Sequence, residues 1–292
     1  MKTAILTDST CDLPREIKQD LNFLYTIPLN IHFSEEDLTD GKDITSESFF
    51  ARINQTGEIP STSQPSAGEF MKTYDHLSAE YDHILSIHLS GELSGTIASA
   101  HTAAQQVEGA NINIFDSGSA SLGLGFLVLF AAKLLKSGSE PQEVLEKLAV
   151  AKKRANVYFT VDDLTYLEKG GRIGKAQAFL GSILNFQPLL TLPGEEGEVI
   201  PKGKARGKNR FKQKLFDQLQ EDLAEDNYAW LGILHGASQE NAKELQQDAE
   251  NLLAEINIEA KIYSNIISPV LGCHTGPTVY GLATLSGEFL DI

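Results

Sequence analysis

Along the first half of the chain, apolar and polar positions switch repeatedly between a period near two and a period near 3.6, which predicts alternating strands and helices. Residues 2–6 and 25–33 read as strands. Between them a helix opens at Asp12-Leu13-Pro14, with Asp12 as its cap, and runs to about residue 21. Residues 34–41 are acidic and turn-rich, and Thr45-Ser46-Glu47-Ser48 starts a helix to about residue 56. Pro60 and Pro65 flank a Ser/Thr cluster, which favours an extended segment that stops at the start of a helix over 67–78. A short apolar run at 84–89 reads as a buried strand that empties into the small residues Ser90 to Thr96, followed by a helix over 96–107, a strand over 111–115 and helices over 123–136 and 141–154. The helix over 123–136 is almost wholly apolar, so it must be buried on most sides or line something apolar. This alternation predicts a mostly parallel, helix-covered sheet with binding loops at the C-terminal ends of its strands. Three such loops, 7–10, 90–96 and 116–121, are rich in hydroxyls.

The second half has a different pattern. A strand over 156–161 leads into a short segment at 164–168 and the glycine-rich stretch Lys169-Gly170-Gly171-Arg172-Ile173-Gly174-Lys175. Residues 176–185 read as a helix with Phe179, Leu180, Ile183 and Leu184 on its apolar side. Strands over 188–192 and 198–202 flank the hairpin turn Pro193-Gly194-Glu195-Glu196-Gly197, and helix, strand, helix, strand follow over 208–225, 229–235, 240–256 and 259–266. The chain closes with Gly272-Cys273-His274-Thr275-Gly276-Pro277 and a strand over 278–285. The expected organisation is an α/β domain over 1–157 and an α+β domain over 158–292, closely packed, with the cleft between them as the default binding site.

Composition narrows the field. The chain has 292 residues, of which 41% are hydrophobic and 22% charged, as in an ordinary soluble globular protein. Its net charge of −16 would repel nucleic acid or an anionic membrane surface. Cys11 and Cys273 lie far apart with no zinc spacing, and read as free thiols. No signal peptide is legible at the N-terminus, and the apolar stretch at 123–135 falls short of the ~20 residues a spanning helix needs. A cytoplasmic protein without stable membrane insertion is expected.

The loop Ser90-Gly91-Glu92-Leu93-Ser94-Gly95-Thr96 carries the first candidate chemistry. Glycines admit a ligand to the backbone, helix N-terminal amides lack intrahelical partners, and the Ser94 and Thr96 hydroxyls add neutral donors, together a seat for a carboxylate or phosphate. Capping of the helix by Ser94 or Thr96 would explain the same residues. The serine in this loop misses the G-x-S-x-G spacing of a nucleophile elbow. Neither 170–175 nor 203–208 fits a phosphate-binding P-loop, because Ala176 and Asn209 stand where the magnesium-binding hydroxyl belongs. No histidine pair has metal spacing, and His88 reads as a core residue. Basic residues at every second position from Lys202 to Lys214 reverse the local field, as a solvated face or a docking surface. Arg172, between glycines on a connection, can reach a ligand oxygen bidentately.

Five motifs, Thr7-Asp8-Ser9-Thr10, Thr62-Ser63-Gln64-Pro65-Ser66, Leu93-Ser94-Gly95-Thr96, Lys169-Gly170-Gly171-Arg172-Ile173 and His274-Thr275-Gly276-Pro277, occur in the order found in the DegV family, which the chain resembles over nearly its whole length. The resemblance implies a two-domain α/β protein that binds one long-chain fatty acid, such as palmitate, between its domains. It further implies a non-enzymatic carrier, without a cofactor, that presents the carboxylate to the ATP-binding subunit of a fatty acid kinase for acyl phosphate formation. By the same resemblance Thr62 and Ser94 bind the carboxylate, with Ser63, Gly95 and Thr96 beside them. His274 stands at the head-group end and Arg172 serves the phosphorylation step. The chain departs from the family at Gly91-Glu92, where Ser-Gly is frequent, so Glu92 must point away from an anionic head. The tail is expected along 123–135 and 179–186. Two alternatives stand beside the carrier. One is a serine-dependent enzyme on a small acyl or phosphorylated substrate, with Ser94 as nucleophile and His274 as base; the other is a lipid-sensing regulator.

Overall fold

The computed structural model describes residues 2–181 and 186–290. Strands β1 (Thr3–Asp8) and β2 (Leu24–Ile27) are joined through the one-turn helix α1 (Arg15–Gln19). The expected single strand over 25–33 is two, because Pro28 cannot donate to a ladder. After it the chain leaves the first sheet to form β3 (Asn30–His32), β4 (Asp37–Thr39) and β5 (Ser61–Ser63), a small antiparallel sheet in the order β4-β3-β5. The acidic stretch read as turn therefore contains a strand. Helix α2 (Ser46–Thr56) begins at a Thr45 cap, and α3 (Ala67–Ser78) at a Ser66–Glu69 capping box. With β6 (His83–His88), α4 (Thr96–Ala104) and β7 (Asn111–Asp116) the first sheet is complete as a four-stranded parallel layer, β2-β1-β6-β7.

Asp12 does not cap α1, whose N-cap is Pro14. Its buried carboxylate accepts from Ser121 Oγ at 2.7 Å and from the Ser268 amide at 3.0 Å, tying the first loop to two distant segments. Burial raises this carboxyl to about 7, against the lowering effect of those hydrogen bonds.

Helices α5 (Ser121–Lys136) and α6 (Pro141–Lys152) lead into the second sheet. Strand β8 (Ala155–Thr160), helix α7 (Thr165–Lys169), β9 (Gln187–Pro193), β10 (Ile200–Ala205), α8 (Lys208–Leu223), β11 (Tyr228–His235), α9 (Gln239–Glu255), β12 (Glu259–Ile266), α10 (Pro269–Thr275) and β13 (Tyr280–Ser286) follow. The sheet is six-stranded, in the order β10-β9-β8-β13-β11-β12, with only β11 and β12 parallel. The mixed α/β architecture with a parallel sheet and a separate mixed sheet is as expected from the sequence. Of the helix expected over 176–185, residues Gly174–Phe179 form a 3-10 turn, and 182–185, which include Ile183 and Leu184, lie outside the described residues.

Helix α5 is buried all round because it packs against β8, β11 and β13 on one side and β1 and α6 on the other. Leu127 and Phe130, at 0% exposure, are core. The basic run is half absorbed by pairing: Lys208 binds Glu244, and Lys212 binds Glu244 and Asp248 across α8 and α9. Lys204 and Arg206 lie over the Phe186 ring. Among the described residues no helix is long and apolar enough to cross a membrane, and no group of His, Cys, Asp and Glu is placed to hold a metal ion.

Candidate functional site

A cavity of about 100 Å³, widening to solvent at its mouth, lies between the C-terminal edge of the parallel sheet and the face of the mixed sheet. Its walls are aliphatic and aromatic, from Leu89 and Leu93 on one side to Val157, Phe159, Leu192 and Leu234 on the other. The expected tail path along 123–135 is not found: α5 gives the cavity only Ser121 of its first turn, with Ala120 just before it. A helix apolar on every face is enclosed on every face, so it has no side left for a ligand. Phe179 does not line the cavity either.

Ser121 holds φ 53°, a left-handed backbone unusual outside glycine, and its hydroxyl is committed to Asp12. It closes the hydroxyl-rich loop 116–121 that the sequence marked as a binding loop, although nothing in the sequence separated it from the other serines there.

The polar end joins four segments remote in sequence. Strand β5 sends alternate side chains to opposite faces, so Thr62 and Ser63 cannot both reach the cavity. Thr62 Oγ1 lies 2.8 Å from His274 Nε2 at the end of α10. Ser63 Oγ lies 2.8 Å from His32 Nε2, away from the cavity, which corrects its expected place in the site. Ser94 lines the cavity, and its hydroxyl lies 2.9 Å from Thr96 Oγ1 and accepts from the Thr96 amide at 3.3 Å. Thr96 is fully buried and backs Ser94 instead of meeting a ligand. Gly95 is also outside the lining; a Cβ there would come within 2.8 Å of Gln64 Nε2, so the glycine lets Gln64 cross the loop to reach the cavity. Gln64 belongs to the Thr62–Ser66 motif, but its role as a lining residue was not legible from spacing.

Arg172 follows Gly171, whose φ of 68° turns the chain back after α7. Its Nε donates to the Leu93 carbonyl at 2.9 Å and its Nη1 to the Gly170 carbonyl at 2.8 Å, which fixes the guanidinium at the mouth beside the Ser94 loop. Glu92 is exposed and outside the cavity lining, as an anionic ligand there would require.

His274 is held in a neutral state. Burial, with the Arg172 charge adding to it, pushes its imidazole down to about 4. Nδ1 is buried without a partner, and a Cβ on Gly170 would lie 2.2 Å from it, so only glycine admits the ring here. The network assigns the proton to Nε2, because a buried donor without an acceptor at Nδ1 would cost more than an idle lone pair. His274 then donates to Thr62, whose own hydroxyl proton is left for the cavity. Thr96 stands behind Ser94 in the same way. Two hydroxyls, each with an acceptor position filled by a neighbour, thus stand at one end of an apolar cavity.

Residues 2–287 match the model of a family of uncharacterised proteins, the DegV family. The chain belongs to the DegV family. Protein DegV of Bacillus subtilis is 32% identical over 283 residues, covering 97% of this chain and 98% of its own length. A fatty-acid-binding DegV family protein from Thermus thermophilus superposes with a TM-score of 0.91 at 35% identity, over 98% of this chain and 100% of its own. A stearic-acid-binding protein from Eubacterium ventriosum superposes at 0.90 with 25% identity, over 99% and 100%. DegV homologues of known structure bind fatty acids.

Proposed function

We propose that this protein is a cytoplasmic carrier that holds one long-chain fatty acid in the cavity, tail against the aliphatic walls and carboxylate between Ser94 and Thr62. The observation that carries the reading is the pairing of an apolar cavity with two hydroxyls and a neutral histidine at one end. Burying a carboxylate is costly unless donors surround it. Each hydrogen bond to the charged head contributes about 1.5–3 kcal/mol. The tail supplies the larger share: at ~0.8 kcal/mol per buried CH₂, a palmitate-length chain gains about 10 kcal/mol gross. We place the division between the two parts of the chain in the link between α6 and β8, at 153/154, because the expected 157/158 falls inside β8; the ligand then lies between them.

The carboxylate oxygens, met by hydroxyls and not by a direct cationic clamp, stay nucleophilic. On this reading a separate ATP-dependent kinase phosphorylates the bound head, and Arg172 at the mouth answers the charge of the incoming phosphoryl group. A serine-dependent enzyme is the poorer reading. His274 lies against Thr62 and not Ser94, and no described acid orients its Nδ1.

Denaturing mass spectrometry of the purified protein tests the carrier directly. One long-chain fatty acid per chain is expected from wild type, and Ser94→Ala combined with Thr62→Ala should empty the cavity. Protein purified without lipid from lipid-rich cells, and unable to take up palmitate afterwards, would overturn the reading.

A further inference from the structure

A second, polar recess lies outside the cavity and shares with it the wall formed by Thr62, Arg172 and His274. It holds about 350 Å³ and adds Ser61, Lys169 and Gly170 to that wall. Its lining holds two cations and no carboxylate, in a chain with 40 Asp and Glu against 24 Lys and Arg. The acids nearest in sequence do not fill it: Glu58 accepts from the Ser34 amide, and Glu168 is exposed outside the lining.

The two cations differ in how they are held. Arg172 is fixed by the Leu93 and Gly170 carbonyls. Lys169 is exposed at the end of α7, and no described residue forms a hydrogen bond or ion pair with it. A lysine without a partner, facing a recess free of acid, is a point charge available to an anion.

We infer that this recess is a phosphoryl seat, in which Lys169 is the positioning residue that holds the dianionic phosphate of an acyl phosphate against the outer side of the Thr62–Arg172–His274 wall. The inference rests on the carrier reading above. In the reaction a carboxylate oxygen forms a bond to the γ-phosphorus of a nucleoside triphosphate. The bond from that phosphorus to the β,γ-bridging oxygen breaks, and the nucleoside diphosphate leaves with the electron pair. The carboxylate neither takes up nor loses a proton. The head group changes from one negative charge to nearly two, displaced outward by the length of a phosphoryl group. Hydroxyls suffice for the single charge inside; the added charge lands where Lys169 and Arg172 stand.

Two probes separate this role from a merely structural one. Delipidated protein is titrated with palmitate and with the keto-phosphonate analogue of palmitoyl phosphate, in which CH₂ replaces the bridging oxygen. Lys169→Ala should weaken the keto-phosphonate about ten-fold, the loss of one charge-assisted contact, and palmitate less than about two-fold. Lys169→Arg should restore most of the phosphonate affinity. Equal weakening of both probes, or of neither, overturns the seat while leaving the carrier intact. Palmitate failing to bind the wild-type protein would overturn the carrier reading and this inference with it.

Discussion

His88 and His274 each lie within hydrogen-bond reach of a hydroxyl, and their surroundings differ in every other respect. His88 donates from Nδ1 to Asp8 Oδ2 at 3.0 Å, and its Nε2 lies 2.7 Å from Ser86 Oγ, which in turn meets Tyr74 OH at 2.8 Å. Asp8 also accepts from the Leu89 amide and from both donors of Thr10. The order acid, histidine, serine is that of a nucleophilic triad, yet Asp8, Ser86 and His88 are all at 0% exposure. His274 has the reverse arrangement: open to the cavity, and with an Nδ1 that no acid reaches. Where the acid orients the imidazole no substrate can enter, and where a ligand can enter the imidazole is left neutral to pass a proton toward a hydroxyl. The first constellation binds the parallel sheet together, while the second, on our reading, receives a carboxylate.

The largest effect that would sharpen this contrast is on stability. Asp8→Ala leaves His88, Thr10 and the Leu89 amide unpaired in the core, and should cost about 3–5 kcal/mol, read from the urea midpoint. A loss under about 1 kcal/mol would mean the network is not a structural tie.

The double variant Ser94→Ala with Thr62→Ala should fall mainly on binding, costing less stability than Asp8→Ala while weakening palmitate by about a hundred-fold, the worth of two hydrogen bonds to a charged group. Isothermal titration of delipidated protein reads this; unchanged affinity would put the carboxylate elsewhere.

Gly170→Ala is a smaller and more selective perturbation. Gly170 has an ordinary φ of −73°, so the added methyl acts through contact, chiefly its clash with the His274 ring at 2.2 Å from Nδ1, with the Tyr166 carbonyl next at 3.0 Å. It should displace the ring, withdraw its support of Thr62 and weaken palmitate several-fold, by about 1 kcal/mol.

The remaining effect is a pH slope, spread over more than two pH units. His274 has a folded pKa lowered from 6.5 to about 4, so the unfolded chain binds its proton more tightly. Stability is therefore fully present above about 6.5 and is lost as pH falls toward 4. His274→Gln, which keeps a donor for Thr62, should gain on wild type as pH falls through that window in thermal melts of lipid-free protein. Asp12 and Asp40, both raised by burial from 3.8 to about 7, slope the other way, which is why the variant must be read against wild type at each pH. A variant that tracks wild type throughout would mean that His274 is not held neutral by its surroundings.

Much of this was legible before the structure. The proline-flanked Ser/Thr segment and the periodicity after it mark the start of α3, and the strand read over 259–266 is β12 at the same bounds. Ser94 and Arg172 could be singled out because each lies in a small-residue motif, where backbones approach a ligand; Thr62 and His274 came only with the resemblance to the DegV family. Ser63 could not be separated from Thr62, since strands as short as β5 leave no visible alternation. Pro28 was a readable break that the apolar run around it concealed. The lining was misplaced on α5 because an apolar helix signals burial without saying against what. The aliphatic wall is built instead from single residues on many strands and loops, which only tertiary structure assembles. Lys169 was read as part of a glycine-rich motif, and its freedom from partners depends on contacts that no spacing reports.

The most direct test of where the head group sits is a carbon-13 NMR spectrum of carboxyl-labelled palmitate bound to the protein. A bound resonance distinct from that of palmitate in vesicles is expected, displaced by Ser94→Ala and left in place by Ser86→Ala in the sealed network. A bound resonance indifferent to Ser94→Ala, or one that moves only with Ser86→Ala, would contradict the assignment of the carboxylate to the Ser94 and Thr62 hydroxyls.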